Sequence, residues 1–377
     1  MMLRHRASPR RGQNHPPSRL SRERGRGDPN VPDVPILSPR PTRRGLLRLG
    51  AAALAAPALG GCLAEGLVTG AGPVPERQSA LGVSPVLLVA TTRRPAADPK
   101  APPYFTEERG AGLAFAELRL SGPDRSLVGK VAAAVSGDWS IASAPRIETG
   151  PNAATAFADA TLGRDVLLYV HGYRESFESA AISAARLSDG IRFRGVSGLF
   201  TWPSAGSTLD YGYDRESALW SRDALEDLLR ALSGPLGGGR VHVVAHSMGT
   251  LITLETLRML RADAGEAAIG RIGAVVLAAP DIDIDLFTKG VERLGPDAAR
   301  ITVISSTHDR ALAVSGSLAG GVPRAGAVDR ARLEALGVRV ADASDYGGGL
   351  INHDLFLSNP EVQQVVKRAV ARAGSAA

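Results

Sequence analysis

The sequence predicts an α/β protein with a mostly parallel central sheet covered by helices on both faces. Three observations predict it. From about residue 84 onward, short runs of β-branched and aliphatic residues alternate with amphipathic stretches of helical period. The runs are continuously apolar, as strands buried on both faces require. Finally, Ala245-His246-Ser247-Met248-Gly249 sets a serine among small residues where a strand gives way to a helix.

Residues 86–91 and 112–121 read as the first strands, and Pro123 and Gly129 punctuate a region up to about residue 160 in which no element is assigned. Strand 166–170 turns at His171-Gly172-Tyr173 into a helix over 175–187. Strand 196–201 ends in Trp202-Pro203-Ser204, and a helix over 215–232 follows with Leu219, Leu225, Leu228, Leu229 and Leu232 near one face. Strand 241–245 leads through the serine turn into a helix over 250–262. Strands 274–279, 301–305 and 338–341 come next, and a last helix, capped by Asn359 and Pro360, runs to about Ala373.

At 377 residues, 44% hydrophobic and 22% charged, the chain is neither wholly disordered, collagenous nor a multi-span membrane protein. The net charge of +6 invites a nucleic-acid reading, which the distribution removes. The first 50 residues hold twelve Arg against Glu23, Asp28 and Asp33, a local +9, whereas from Cys62 onward 32 basic residues face 35 acidic ones, a net of −3. With one cysteine there is no intramolecular disulfide and no basis for a cysteine-ligated metal. No cofactor is expected.

Residues 1–41 are rich in Arg, Pro, Ser and Gly and bury too little to offset ordering entropy. Thr42-Arg43-Arg44-Gly45-Leu46-Leu47-Arg48 then precedes the uncharged stretch 49–59, too short for the ~20 residues of a membrane span but suited to a signal h-region. Paired arginines before such a region look like a twin-arginine export signal. Leu59-Gly60-Gly61-Cys62 resembles a lipoprotein lipobox, so Cys62 is expected to carry a lipid and to begin a mature protein anchored to the membrane in the cell envelope. The expected organisation is leader and signal 1–61, a Gly/Pro-rich tether 62–80 and a single domain 81–377.

The serine turn is the main chemical signal. Small residues two before and two after Ser247 let strand and helix approach closely, and the turn aims the first helical N–H groups at the serine oxygen. A serine hydroxyl needs a base, itself oriented by a carboxylate, and proteins built on this elbow order them Ser, acid, His along the chain. Only His308 and His353 follow Ser247. His353 lies in a glycine-rich loop after the last strand and is assigned as base, since His308 directly precedes Asp309. Asp309, after strand 301–305, is the favoured acid, with Asp281 as its competitor. The oxyanion donors expected are the N–H groups of Tyr173 and Met248. Asp281-Ile282-Asp283-Ile284-Asp285 with Glu292 mimics a calcium loop, but Leu286 stands where such a loop needs Gly, so no metal is assigned.

Ala90-Thr91-Thr92-Arg93, His171-Gly172-Tyr173, Trp202-Pro203-Ser204-x-Gly206, Tyr211-x-x-Asp214-Arg215, Ala245-His246-Ser247-Met248-Gly249, Ala279-Pro280-Asp281 and Asp309-Arg310-Ala311-Leu312 together resemble the α/β-hydrolase superfamily, and within it a largely uncharacterised bacterial group of esterase-like proteins. The resemblance implies an α/β-hydrolase fold and hydrolase chemistry but little about the substrate; a serine hydrolase that cleaves a small-molecule carboxylic ester through an acyl-enzyme is expected. His171, Trp202 and Tyr211 are expected to line the pocket, and Asp214 to line it or cap a helix. A thioesterase, an amidase and a noncatalytic binding protein on the same fold are the alternatives.

Overall fold

Val166, Leu168 and Val170 point to one side of the sheet and Leu167 and Tyr169 to the other, and all five are buried. That two-sided burial makes the strand a continuous apolar run, and it recurs in 196–201, 241–246 and 272–278. The computed structural model describes residues 86–98, 101–122, 139–207, 210–318, 320–346 and 353–375. The leader, Cys62, the tether and the glycine-rich stretch 347–352 lie outside the described residues.

Nine strands form one sheet: β1 (Val86–Pro95), β2 (Phe105–Ser121), β3 (Ser140–Thr149), β4 (Val166–Val170), β5 (Val196–Thr201), β6 (Val241–His246), β7 (Ile272–Ala278), β8 (Ile301–Ser305) and β9 (Arg339–Asp342), in the order β3-β2-β1-β5-β4-β6-β7-β8-β9. β1, β2 and β3 are antiparallel to their neighbours in that trio; β1 then pairs in parallel with β5, and every pairing from there to β9 is parallel. Helices α1 (Ala153–Ala160), α4 (Arg222–Ser233), α5 (Gly249–Gly270) and α6 (Ile284–Leu294) cover one face through Phe157, Leu228, Leu251 and Phe287. Helices α2 (Phe177–Gly190), α9 (Leu355–Ser358) and α10 (Pro360–Ser375) cover the other through Phe177, Phe356 and Val366, and the short α8 (Arg330–Glu334) precedes β9. At ~1.5 to 3 kcal/mol for each large apolar side chain fully buried, these two layers are the main source of stability.

The departures from expectation have local causes. β2 starts seven residues earlier than its apolar run because Glu107 and Glu108 are exposed strand residues and Arg109 beside them is polar and only half-buried. β3 was invisible because it is an edge strand with few buried positions, where Pro145 is tolerated. The single helix expected over 215–232 is two, α3 (Tyr211–Trp220) and α4, joined at Ser221, whose hydroxyl donates back to Ser217 O at 2.8 Å and bonds Thr92 Oγ1 at 2.7 Å. At the last helix the expectation holds: Asn359 Oδ1 accepts from the Glu361 and Val362 N–H groups at 2.8 and 3.3 Å.

Candidate active site

Ser247 sits between β6 and α5 with a φ of 50°, in the left-handed region that costs a non-glycine residue ~1 to 3 kcal/mol. Its backbone is pinned on both sides: the N–H donates to Ala278 O at 2.9 Å, and the carbonyl accepts from Thr250 N at 3.1 Å and Thr250 Oγ1 at 2.5 Å. A Cβ at Gly249 would lie 2.2 Å from His171 O, so the helix starts hard against the end of β4 and only glycine fits. Gly172 closes the other side, with a hypothetical Cβ 2.9 Å from both Ser247 Cβ and His246 Nδ1.

His353 and Asp309 meet at this elbow. Asp309 Oδ2 accepts from His353 Nδ1 at 2.7 Å, and the acid is fully buried while the histidine side chain keeps 19% of its surface. The other oxygen, Oδ1, accepts from Ala311 N at 2.9 Å and Leu312 N at 3.1 Å, capping the helix α7 (Arg310–Leu318). One carboxylate thus holds His353 with one oxygen and caps the helix with the other. Burial alone would raise the Asp309 carboxyl; the hydrogen bond and charge of His353 and the Leu312 N–H outweigh it and hold the group below its ordinary value. His246 locks His353 from beneath, with its Nε2 2.9 Å from His353 O and the ring centroids 4.6 Å apart. Burial, then the neighbouring His353, pushes His246 down to about 3, so it is neutral and donates from Nε2. Among the described residues no hydrogen bond joins Ser247 Oγ to the His353 ring, a bond that hydrolases often tighten only with substrate bound.

The N–H groups of Tyr173 and Met248 donate to no protein acceptor among the described residues. The peptide between Gly172 and Tyr173 is held from its other end. Arg93 Nε donates to Thr201 Oγ1 at 2.9 Å, Thr201 Oγ1 bonds His171 Nε2 at 2.9 Å, and His171 Nδ1 bonds Gly172 O at 2.8 Å. The Trp202 N–H also donates to His171 Nε2, at 3.0 Å, which fixes the tautomer: Nε2 is bare and Nδ1 carries the proton. Burial, then the charge of Arg93, depresses His171 well below the usual range, so the ring stays neutral. Arg93 itself, lowered to about 10 by burial, stays cationic at neutral pH.

The structure corrects three expectations. Asp281 is not at His353: its Oδ1 lies 3.2 Å from Arg324 Nε, close enough to pair by charge though off-line for a hydrogen bond, and both side chains are buried. Its carboxylate also takes the Ser315 hydroxyl and the Tyr211 OH, the latter at 2.9 Å. His171 and Trp202 expose no surface; they stack at 4.7 Å under the site and do not line it. Tyr211 alone of the three is half-buried, its ring edge-on to Tyr173 at 5.5 Å. Asp214 neither caps a helix start nor faces the site: it is a buried residue inside α3 that accepts from Ser204 Oγ, Ala205 N and Arg174 N at 2.5, 2.7 and 3.3 Å. The calcium-like acids are spent elsewhere, Asp283 capping α6, Asp285 on Arg332 and Glu292 on Lys289.

A parallel sheet with a strained serine at a strand-to-helix elbow, and a histidine–carboxylate pair from later loops against it, defines the α/β-hydrolase class. Residues 153–369 match the family described as alpha/beta hydrolases of unknown function (DUF900), and the chain belongs to that family. It is also similar to an uncharacterized protein of Nostoc sp., 36% identical over 61 residues, a stretch that spans 16% of this chain and 16% of that protein. Among solved structures it is similar to an esterase of Pyrobaculum calidifontis, at 15% identity and a TM-score of 0.33, covering 56% of this chain and 76% of that one. Est1E from Butyrivibrio proteoclasticus gives 12% identity and a TM-score of 0.35, covering 56% and 88%.

Proposed function

We propose that the chain cleaves carboxylic esters through an acyl-enzyme on Ser247. The observation that carries the reading is the elbow at φ 50° with the Asp309–His353 pair, its carboxylate buried, packed against it. Ser247 Oγ attacks the ester carbon while His353 Nε2 takes its proton. Asp309 keeps Nδ1 protonated and stabilises the imidazolium, and the Tyr173 and Met248 N–H groups hold the oxyanion. Collapse expels the alcohol, which takes the proton from His353; water, deprotonated by the same ring, then releases the acid and restores Ser247. Tyr211 and Tyr173, both half-buried, form the wall beside this centre, and a small-molecule ester is the partner. The chain is further proposed to be exported and held at the cell envelope by lipid on Cys62.

A fluorophosphonate probe tests the chemistry. Ser247 is expected to be labelled in the folded protein, Ser247→Ala and His353→Ala to lose hydrolysis of short p-nitrophenyl esters, and a panel of matched esters, thioesters and amides to favour the esters. A folded protein that takes no label is a binding protein instead. Palmitate-analogue labelling that Cys62→Ala leaves unchanged removes the anchor.

A further inference from the structure

β6, β7, β8 and β9 are neighbours, run parallel, and each begins at an arginine: Arg240 precedes β6, Arg271 precedes β7, Arg300 precedes β8, and Arg339 opens β9. At ~4.8 Å per strand they form a row about 14 Å long on the N-terminal edge of the sheet. Arg372 of α10 joins them, and Arg240, Arg300, Arg339 and Arg372 line one cavity of about 510 Å³ whose remaining wall is largely Gly and Ala. Its one carboxylate, Asp297, already pairs with Arg300 and Arg261.

Part of this arrangement is bracing. Arg271 Nη1 donates to Gly238 O at 2.7 Å, Arg300 Nη1 to Ile272 O at 2.8 Å, and Arg339 to Ala299 O, so each ties its strand to the next. Bracing uses one donor of each guanidinium; Asp297 compensates the charge of Arg300 but not those of Arg271 and Arg339. Among the described residues no carboxylate pairs with the side chains of Arg240, Arg271, Arg339 or Arg372; Asp165, also on this edge, accepts the backbone N–H of Arg240. Nor is this general basicity, since the chain from Cys62 onward is net −3. Like charges gathered without a partner are a cost that an anionic partner removes.

We propose that this edge docks on the phosphate layer of an anionic phospholipid membrane. The row is broader than one phosphate group, and guanidinium forks match phosphate oxygens in pairs. β1 is parallel to β5, so the described chain begins, at Val86, on this same edge, where residues 62–85 would join it to the anchor proposed at Cys62. Ser247 follows the far end of β6, about 20 Å away. Docked this way, the enzyme turns its site toward the aqueous phase and takes soluble esters in place of bilayer lipid. The arginine edge stands independently of the proposed esterase chemistry.

The test is sedimentation of the full chain with phosphatidylcholine vesicles, with and without about a third phosphatidylglycerol, alongside Arg240→Gln/Arg372→Gln and Arg240→Lys/Arg372→Lys. Every protein keeps the same basic leader, so its contribution cancels. Partition to the anionic vesicles is expected to fall roughly 30-fold in the Gln pair and to stay within about twofold in the Lys pair. Turnover of a soluble ester should be equal in all three. Equal binding by the Gln pair, or an equal loss in the Lys pair, overturns the proposal. Tight binding of inorganic phosphate that depends on these arginines, with vesicle partition that does not, assigns the cavity to a free anion and overturns it as well.

Discussion

Asp309→Asn separates two roles that one carboxylate carries on two oxygens. Asn caps a helix as well as Asp does, so with its carbonyl oxygen on the Ala311 and Leu312 N–H groups the cap survives and stability changes by less than ~1 kcal/mol on that account. The amide nitrogen then faces His353 Nδ1, 2.7 Å away, where an acceptor stood. The ring must bare Nδ1 and carry its proton on Nε2, the tautomer that cannot take a proton from Ser247. On that basis kcat for a p-nitrophenyl ester should fall by ~10⁴ with little change in KM. Asp309→Ala should lose as much kcat and also the cap, costing ~1 kcal/mol more in urea unfolding. Because the folded Asp309 carboxyl lies below its unfolded value, its contribution is present above the ordinary carboxylate range and is lost as pH falls through the folded value; neither variant should show that part of the acid transition. Asp281→Asn is the control. It strips a buried Arg324 of its partner, for ~3 to 5 kcal/mol of stability, with kcat per folded molecule unchanged. If Asp281→Asn lost kcat while Asp309→Asn kept it, the assignment of the acid would be wrong.

Acid should weaken the fold through two neutral histidines. His171 and His246 are held below their unfolded value, so the unfolded chain alone binds their protons below about pH 6.5; urea titrations at pH 7 and 5 should differ by about 2 kcal/mol for each, and His246→Gln should remove its share. Thr201→Val removes the hydroxyl between Arg93 and His171. It should cost ~1 to 3 kcal/mol for the donor left unmet and lower kcat about tenfold with KM and ester preference unchanged, while Thr201→Ser restores both; full kcat in a destabilised variant would leave the hydroxyl a structural role only. Gly249→Ala forces a methyl to within 2.2 Å of His171 O, so the elbow must open, with a loss of ~1 to 3 kcal/mol in unfolding and a fall in kcat.

What the sequence made legible follows burial. β4 to β8 are buried on both faces, so their residues announce them; β3 and α1 rely on pairing and packing against β2 and carry little signal of their own. The candidates Ser247, Asp309 and His353 were reachable because chain order, with position at strand ends for the first two, restricts the choice. Asp281 against Asp309 could not be decided from order, since both follow strand ends; what separates them is Arg324, a residue 43 positions later that claims Asp281. His171 and Trp202 were misplaced for a related reason. Being near the site in sequence does not say whether a ring faces solvent or the layer beneath.

The polar residues that the sequence left without a chemical role have a common destination. Arg93 reaches Thr201 Oγ1, Ser204 O and Glu175 O, joining β1 to the loops after β5 and β4. Asp214 of α3 binds those same two loops at Ser204, Ala205 and Arg174, the last held at a φ of 63°. Burying an arginine and an aspartate is expensive unless their donors and acceptors are met, and neither belongs to the two apolar layers that cover the sheet. What the sheet cannot do is fix the loop after β4, which has left the ladder and has no strand partner. Both charged residues are spent there, on either side of the Gly172–Tyr173 peptide. A rigid oxyanion donor acts only if it is already aimed when charge develops, and a peptide clamped by His171 at its carbonyl and by Asp214 one residue on has little freedom to turn away. If the Tyr173 N–H holds the oxyanion as proposed, the buried network serves the orientation of that one group as well as the stability of the fold.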